Sequence, residues 1–126
     1  MKGYVGYLLS EKSKELLKEI FPPKFQKFIG HHITTGFNVG MEEVPNKPNF
    51  AKVLGYVSDD SLEALVVQID WRLRRKDGVY FHITWSLTPE LRKPKDSKEI
   101  VDKWEFVKPI PIEIEPKFFP FKEQTK

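Results

Sequence analysis

A chain of 126 residues with 40% hydrophobic and 31% charged content is enough for one domain around a modest core, and too short for two independent ones. No apolar run approaches the ~20 residues of a membrane-spanning helix, and the absence of cysteine removes disulfides, thiolate metal sites and a cysteine nucleophile. A net charge of +3 is compatible with an anionic ligand but falls short of a non-specific nucleic-acid binder, so any nucleotide must be held by a localised site.

In chain order, GYVGYLL (3–9) has the aromatic and β-branched content of a buried strand. Ser10 then offers a side-chain acceptor to open a helix that runs to about residue 20. Leu16, Leu17, Ile20 and Phe21 form its apolar stripe, and Pro22 and Pro23 stop it. PPKFQKF reads as a loop, residues 29–37 as a strand, and EEVPNKPN as a turn-rich connection. Residues 50–58 and 62–75 form a hairpin about Asp59-Asp60, and Lys76-Asp77-Gly78 turns the chain into another strand, VYFHITWSL (79–87). After an irregular LTPELRKPK, Asp96-Ser97 caps a short helix carrying Ile100, Val101 and Trp104. The C-terminal VKPIPIEIEPKFFPF alternates apolar and polar residues but contains Pro109, Pro111, Pro116 and Pro120, which suits an edge strand or an extended strap. The expectation is a single domain over 1–126: an α+β fold with a mostly antiparallel sheet and two helices. MKGYVGYLLSEK carries no targeting signature, which sets a cytoplasmic address as the expectation, a host cytoplasm if the source is viral.

All three histidines fall in or beside two similar stretches, GHHITTGF and YFHITWSL. Side chains two apart on a strand share a face, so His32 with Thr34, and His82 with Thr84, each present an imidazole beside a hydroxyl. Two such strands side by side would line one cleft with two proton-transfer groups on opposite sides of a phosphate. Imidazole, with an unperturbed pKa near ~6.5, serves as base toward an attacking oxygen or as acid toward a departing one. Threonine hydroxyls suit the non-bridging oxygens of the transition state. Half-buried strand histidines without chemistry are the plain alternative. His31 is expected to point to the opposite face, in a packing or surface role. A metal site is disfavoured because His32 and His82 supply only two ligands on fixed strands, and no Gly-x-Ser-x-Gly or glycine-rich phosphate loop is present.

The paired His32-Ile33-Thr34 and His82-Ile83-Thr84, followed by KPKDS, resemble the two H-x-T/S motifs of the 2H phosphoesterase superfamily. The order of elements is similar to the cyclic phosphodiesterase domains of fungal-type tRNA ligases and their small relatives, over nearly the whole chain. The resemblance implies a two-lobed fold with a central cleft and metal-independent action, without a cofactor, on RNA-type phosphodiesters. Members open 2′,3′-cyclic phosphate ends, cleave 2′,5′-linked oligoadenylate or, in small phage proteins that counter CBASS immunity, degrade cyclic oligonucleotide signals. By the same resemblance His32 and His82 are the acid-base pair, Thr34 and Thr84 hold the phosphate, and the partner is a cyclic nucleotide, a cyclic oligonucleotide or an RNA end. The alternative on the same fold is a catalytically silent RNA- or nucleotide-binding module.

Beyond these four residues, Tyr4 and Tyr7 on the first strand and Phe118 and Phe119 near the C-terminus are candidates to stack a base, with core packing as the alternative for each. Arg72 and Arg74 share a face and are candidates to attract phosphate, or else solvated charges that shield an edge strand. Lys24, Lys27, Arg92, Lys93 and Lys95 flank the motif strands and suggest a positive rim.

Overall fold

The computed structural model describes residues 1–121. Its elements are β1 (Gly3–Leu9), α1 (Glu11–Ile20), β2 (Lys27–Phe28), β3 (His32–Val39), β4 (Ala51–Ser58), β5 (Leu62–Ile69), β6 (His82–Leu87), β7 (Glu105–Pro111) and β8 (Ile114–Pro120), with 3-10 turns at Met41–Glu43, Pro94–Glu99 and Val101–Lys103. All eight strands belong to one sheet of order β7-β4-β5-β6-β3-β1-β8, with β2 also paired to β6. Every pairing is antiparallel, so the α+β, mostly antiparallel expectation holds. Among the described residues no helix is long and apolar enough to cross a membrane.

The proline-bearing C-terminal piece is two strands rather than one, and they occupy the two opposite edges of the sheet. Edges are where proline is tolerated, because a missing N–H there leaves no ladder bond unmade. Only Ile112 and Glu113 separate β7 from β8. The Ile112 N–H donates to the Ala51 carbonyl at 3.0 Å, while the Glu113 carbonyl accepts from the Ser10 N–H at 3.0 Å. The sheet therefore curls until its two edges meet at this strap. Inside the curl lie Ile33, Val53, Leu65, Val67, Ile83 and Trp85, all 0% exposed. A second cluster, including Leu62, Ala64, Leu87, Ile100 and Val101, fills the space under the 3-10 turns.

Helix α1 starts where Ser10 accepts from the Ser13 N–H at 3.1 Å and ends with the Phe21 N–H on the Leu17 carbonyl. Its expected stripe is narrower than four residues: Leu17 is buried, but Leu16 and Ile20 are exposed. The seat of the helix is instead the i,i+4 ridge of Ser13 and Leu17, with the Ser13 hydroxyl accepting from the Glu113 N–H at 2.8 Å.

Two strands are shorter than alternation suggests. The expected strand 62–75 stops at Ile69, because Asp70 takes a left-handed φ of 53° and its carboxylate accepts from the Asn49 and Phe50 N–H groups. Ile69 and Arg72 then exchange backbone bonds across a two-residue turn. The chain makes a small excursion, reverses again at Gly78, and rejoins the sheet as β6 at His82 rather than at residue 79. PPKFQKF is not all loop, since Lys27 and Phe28 pair with Leu87 and Ser86. The second helical segment is 3-10 and begins at Pro94, with the Asp96 carboxylate reaching back to the Lys93 N–H at 2.8 Å.

Candidate active site

The two His-Ile-Thr stretches meet at their centres. Strands β3 and β6 pair at a single position, Ile33 opposite Ile83, and both isoleucines are fully buried. With those side chains turned into the core, the flanking His32, Thr34, His82 and Thr84 are left on the other face, where all four line one cavity of about 460 Å³. The seam joins a β8-β1-β3 arm to a β7-β4-β5-β6 arm, and the cleft lies where the arms meet. Trp85 faces the core, as its position in the alternation requires.

His82 donates from Nδ1 to the Tyr80 carbonyl at 2.8 Å, since a carbonyl can only accept. In the neutral ring Nε2 is then a bare lone pair. Burial lowers the His82 pKa, and the nearby Arg75 and Lys98 lower it further, against the opposing effects of the Tyr80 hydrogen bond and Asp77. Burial also takes the His32 imidazole down to about 4, with smaller contributions from His31 and His82.

Both rings are thus held neutral in the fold, whereas in the unfolded chain each takes a proton near 6.5. A histidine with a depressed folded pKa gives stability that is present above its unfolded value and lost as the pH falls through the folded one. The melting temperature of the wild type should therefore decline from pH 6.5 toward about 4. A His32→Asn variant should lack part of that decline, so the difference between the two should shift in the variant's favour over this window in a series of thermal scans. A difference independent of pH would contradict the depressed His32 pKa.

The two threonines differ. Among the described residues no hydrogen bond engages the Thr34 hydroxyl, which is free to donate into the cleft. Thr84 Oγ1 donates to the Pro94 carbonyl at 3.1 Å and lies 2.7 Å from the buried Ser97 hydroxyl. Thr84 thus ties the Pro94–Glu99 turn to β6. That turn carries Lys95 and Lys98, three apart and so on one side of a 3-10 turn, and both line the cleft.

No family model, curated protein or solved structure matches this chain. The site's character rests on its own geometry. One wall is aromatic: Tyr4 lines the cleft with its ring 5.2 Å from His32, and Phe37 lines it while 69% exposed. The other wall is cationic, with Arg75, Lys95 and Lys98. Arg75 is paired to Asp77 through two nitrogens, at 3.0 and 2.5 Å. Among the described residues no group of three or more His, Cys, Asp or Glu is placed to hold a metal ion.

Of the expected substrate contacts, Tyr4 is in the cleft. Phe119 stacks on Tyr4 at 4.7 Å and packs beside His32, behind the wall rather than in it. Tyr7 is 2% exposed, part of the core, and spends its hydroxyl on the Asn46 carbonyl. It differs from Tyr4 because three positions on a strand reverse the face. Phe118 falls on the opposite face of β8 from Phe119 for the same reason of parity. Arg72 and Arg74 do not line the cleft; Arg74 lies over the Tyr80 ring and bonds its hydroxyl, because the turn at Asp70 resets the phase of the segment and brings Arg75 inward instead. Of the suggested rim, Lys95 reaches the cleft, while Arg92 is committed to Asp59 and Glu99.

Phe37 carries no warning in the sequence. Opposite β1, Gly6 pairs with Thr34 and Val5 with Gly36, so Thr35 is an extra residue whose bulge returns Phe37 to the His32 and Thr34 face. Lys98 was detectable: it stands three residues after Lys95 in a segment that begins with a proline.

Proposed function

We propose that this chain is a metal-independent phosphodiesterase of the 2H type, cleaving an RNA-type phosphodiester in a 2′,3′-cyclic phosphate end or a cyclic oligonucleotide signal. The observation that carries this reading is the meeting of the two His-Ile-Thr stretches at Ile33 and Ile83, which puts two imidazoles and two threonines in one cleft. A phosphodiester needs a base on one side and an acid on the other, and the site offers one imidazole from each arm. The free Thr34 hydroxyl and the lysines on the Thr84-anchored turn supply donors and positive charge for the phosphate oxygens. The aromatic wall fits a nucleobase.

The test is turnover, in the presence of EDTA, of 2′,3′-cyclic mononucleotides, a 2′,3′-cyclic-ended RNA, 2′,5′-oligoadenylate and cyclic dinucleotides, by wild type, His32→Ala and His82→Ala. Cleavage by wild type alone supports the proposal and the preferred substrate names its class. Binding of a substrate without cleavage selects the silent binding module, and loss of activity in EDTA selects a metal-dependent hydrolase.

Phe37 is the exposed platform of the aromatic wall, since Tyr4 is already covered by Phe119. Phe37→Ala is expected to weaken substrate binding by roughly 1–3 kcal/mol, the usual worth of one base-aromatic stack. Its melting temperature should stay close to wild type, because an exposed side chain contributes little to the core. An unchanged KM would remove Phe37 from the site.

A further inference from the structure

The two catalytic imidazoles are not equivalent in how their second nitrogen is held. His82 Nδ1 donates to a carbonyl, which leaves Nε2 bare and suited to accept a proton. Among the described residues no carbonyl accepts from His32 Nδ1. It lies 3.0 Å from Nδ1 of His31, and two neutral ring nitrogens at that distance hold one proton between them. His31 was expected on the far face. It is beside His32 because the chain advances five residues from Phe28 to Ile33 while its partner strand advances three from Ser86 to Ile83. The two extra residues are accommodated around Gly30, whose φ of 45° is left-handed, and His31.

The surroundings of the pair differ as well. His31 is exposed and is not among the cleft-lining residues, whereas His32 lines the cleft and is half-buried. A phosphodiester with an alkoxide leaving group needs a proton delivered from the cleft side, yet a ring held at about 4 is charged in only roughly one molecule in a thousand at neutral pH. A neutral imidazole N–H is too weak an acid to act alone.

Resting on the phosphodiesterase reading, we infer that His31 and His32 form a proton relay, in which a surface His31 imidazolium supplies the proton that a neutral His32 delivers to the departing oxygen. In the relay the His31 Nδ1–H bond breaks as a new N–H forms on His32 Nδ1, and the His32 Nε2–H bond breaks as the leaving oxygen takes that proton. His31 ends neutral, His32 ends as the other neutral tautomer, and the leaving group ends as an alcohol. The positive charge starts on the exposed ring and never rests on the buried one. His82, with Nε2 bare, is then the base toward the attacking oxygen. The groups facing His31 are Lys14 and Glu11 from α1, Lys117 from β8 and His32 itself, and the Phe119 ring packs against it. Partial burial, Lys14 and Lys117 lower the His31 pKa against the opposing effect of Glu11, so the relay draws on the charged fraction of this exposed ring. Those facing His32 are His31 and His82, together with the rings of Tyr4 and Phe119. Arg75, Asp77 and Lys98 face His82. His31 acts through His32 and is a positioning residue in this scheme.

His31→Gln tests the relay, because its amide N–H can hold His32 in place but has no proton to give. Two substrates separate the roles: uridylyl-(3′→5′)-adenosine, whose departing alkoxide needs a proton, and uridine 3′-(4-nitrophenyl phosphate), whose nitrophenolate does not. The expected result is a fall in kcat of about 10²-fold or more on the dinucleotide, with less than about 3-fold on the nitrophenyl ester. Equal losses on both substrates, or no loss on either, would overturn the relay. A second measurement does not depend on turnover: ¹⁵N shifts of the three imidazoles across a pH series. The relay requires neutral His32 to carry its proton on Nε2 and His31 to titrate at the higher pH; a His32 that is protonated on Nδ1, or that charges before His31, overturns it. Were wild type inert on both substrates, the phosphodiesterase reading would fail for them, and the ¹⁵N shifts would still decide the proton arrangement.

Discussion

His82→Asn is expected to lower turnover by roughly 10²- to 10⁴-fold, the worth of one positioned proton transfer. The choice of asparagine follows from the geometry. Its side-chain amide can take over the Nδ1 hydrogen bond to the Tyr80 carbonyl, so the backbone acceptor keeps a partner and the strand keeps its local structure. What asparagine lacks is any counterpart of Nε2, the atom left to act on the substrate. His82→Ala should lose the same activity and in addition about 1 kcal/mol of stability from the orphaned carbonyl. Equal rate losses in the two variants, with a lower melting temperature in the alanine variant alone, would separate chemistry from folding. A His82→Asn/His32→Ala double variant should be little worse than either single one, because residues that act as a unit are grossly non-additive. If His82→Asn kept its rate within about 10-fold, the acid-base role of this ring would be wrong, since nothing else at that position could do the work.

How far the sequence carried this site depends on where the chain is regular. Alternation along a strand was enough to place His32 with Thr34 and His82 with Thr84, because each His-Ile-Thr triplet comes before the bulge of its strand. Three residues that sequence reasoning missed or misplaced lie just past an irregularity, whereas Tyr7 and Phe118 are lost to strand parity alone. Phe37 follows the bulge at Thr35, His31 follows the left-handed Gly30, and Arg75 follows the left-handed Asp70. The bulge at Thr35 shifts the two-residue period by one, the two extra residues around Gly30 take His31 out of regular alternation, and the turn at Asp70 resets the phase, so Arg72 and Arg74 were the wrong pair to choose. Asp70 is the hardest of these to foresee: it is not glycine, and its turn is held by the Asn49 and Phe50 N–H groups far away in sequence. The C-terminal piece illustrates a different limit. Its prolines named it an edge strand, but only the closed path of the sheet shows that one short segment serves both edges.

Trp85→Ala is expected to destabilise the fold by roughly 3–5 kcal/mol, the usual range for removing a large buried aromatic. Trp85 is 0% exposed, meets Phe28 edge-on at 4.8 Å, and donates its indole N–H to the Phe21 carbonyl at 2.8 Å. Phe21 closes α1, so this one side chain fastens the helix and β2 to the strand that carries His82 and Thr84. Trp85 also sits at a bulge: Glu63 is opposite Ser86 and Ala64 opposite Thr84, which leaves Trp85 as the extra residue of β6. The bulge brings Ser86 round to bond the buried Glu63 carboxylate, which also accepts from the Tyr56 hydroxyl at 2.6 Å and the Lys24 N–H at 2.8 Å. Removing the indole therefore leaves a cavity beside a buried carboxylate that the same bulge helps to satisfy. Against a total stability of about 5–15 kcal/mol for a domain, the loss should lower the melting temperature by roughly 10–20 °C. Trp85→Phe keeps the ring against Phe28 and gives up the bond to Phe21, and should recover most of the difference, leaving about 1 kcal/mol. The contrast with Phe37→Ala is what makes the pair informative: both remove an aromatic ring within reach of the same two strands, but only one of the rings is in the core. A Trp85→Ala variant that melted like wild type would mean that β6 is not held from beneath, and the alignment of Ile33 with Ile83 on which the cleft depends would have lost its support.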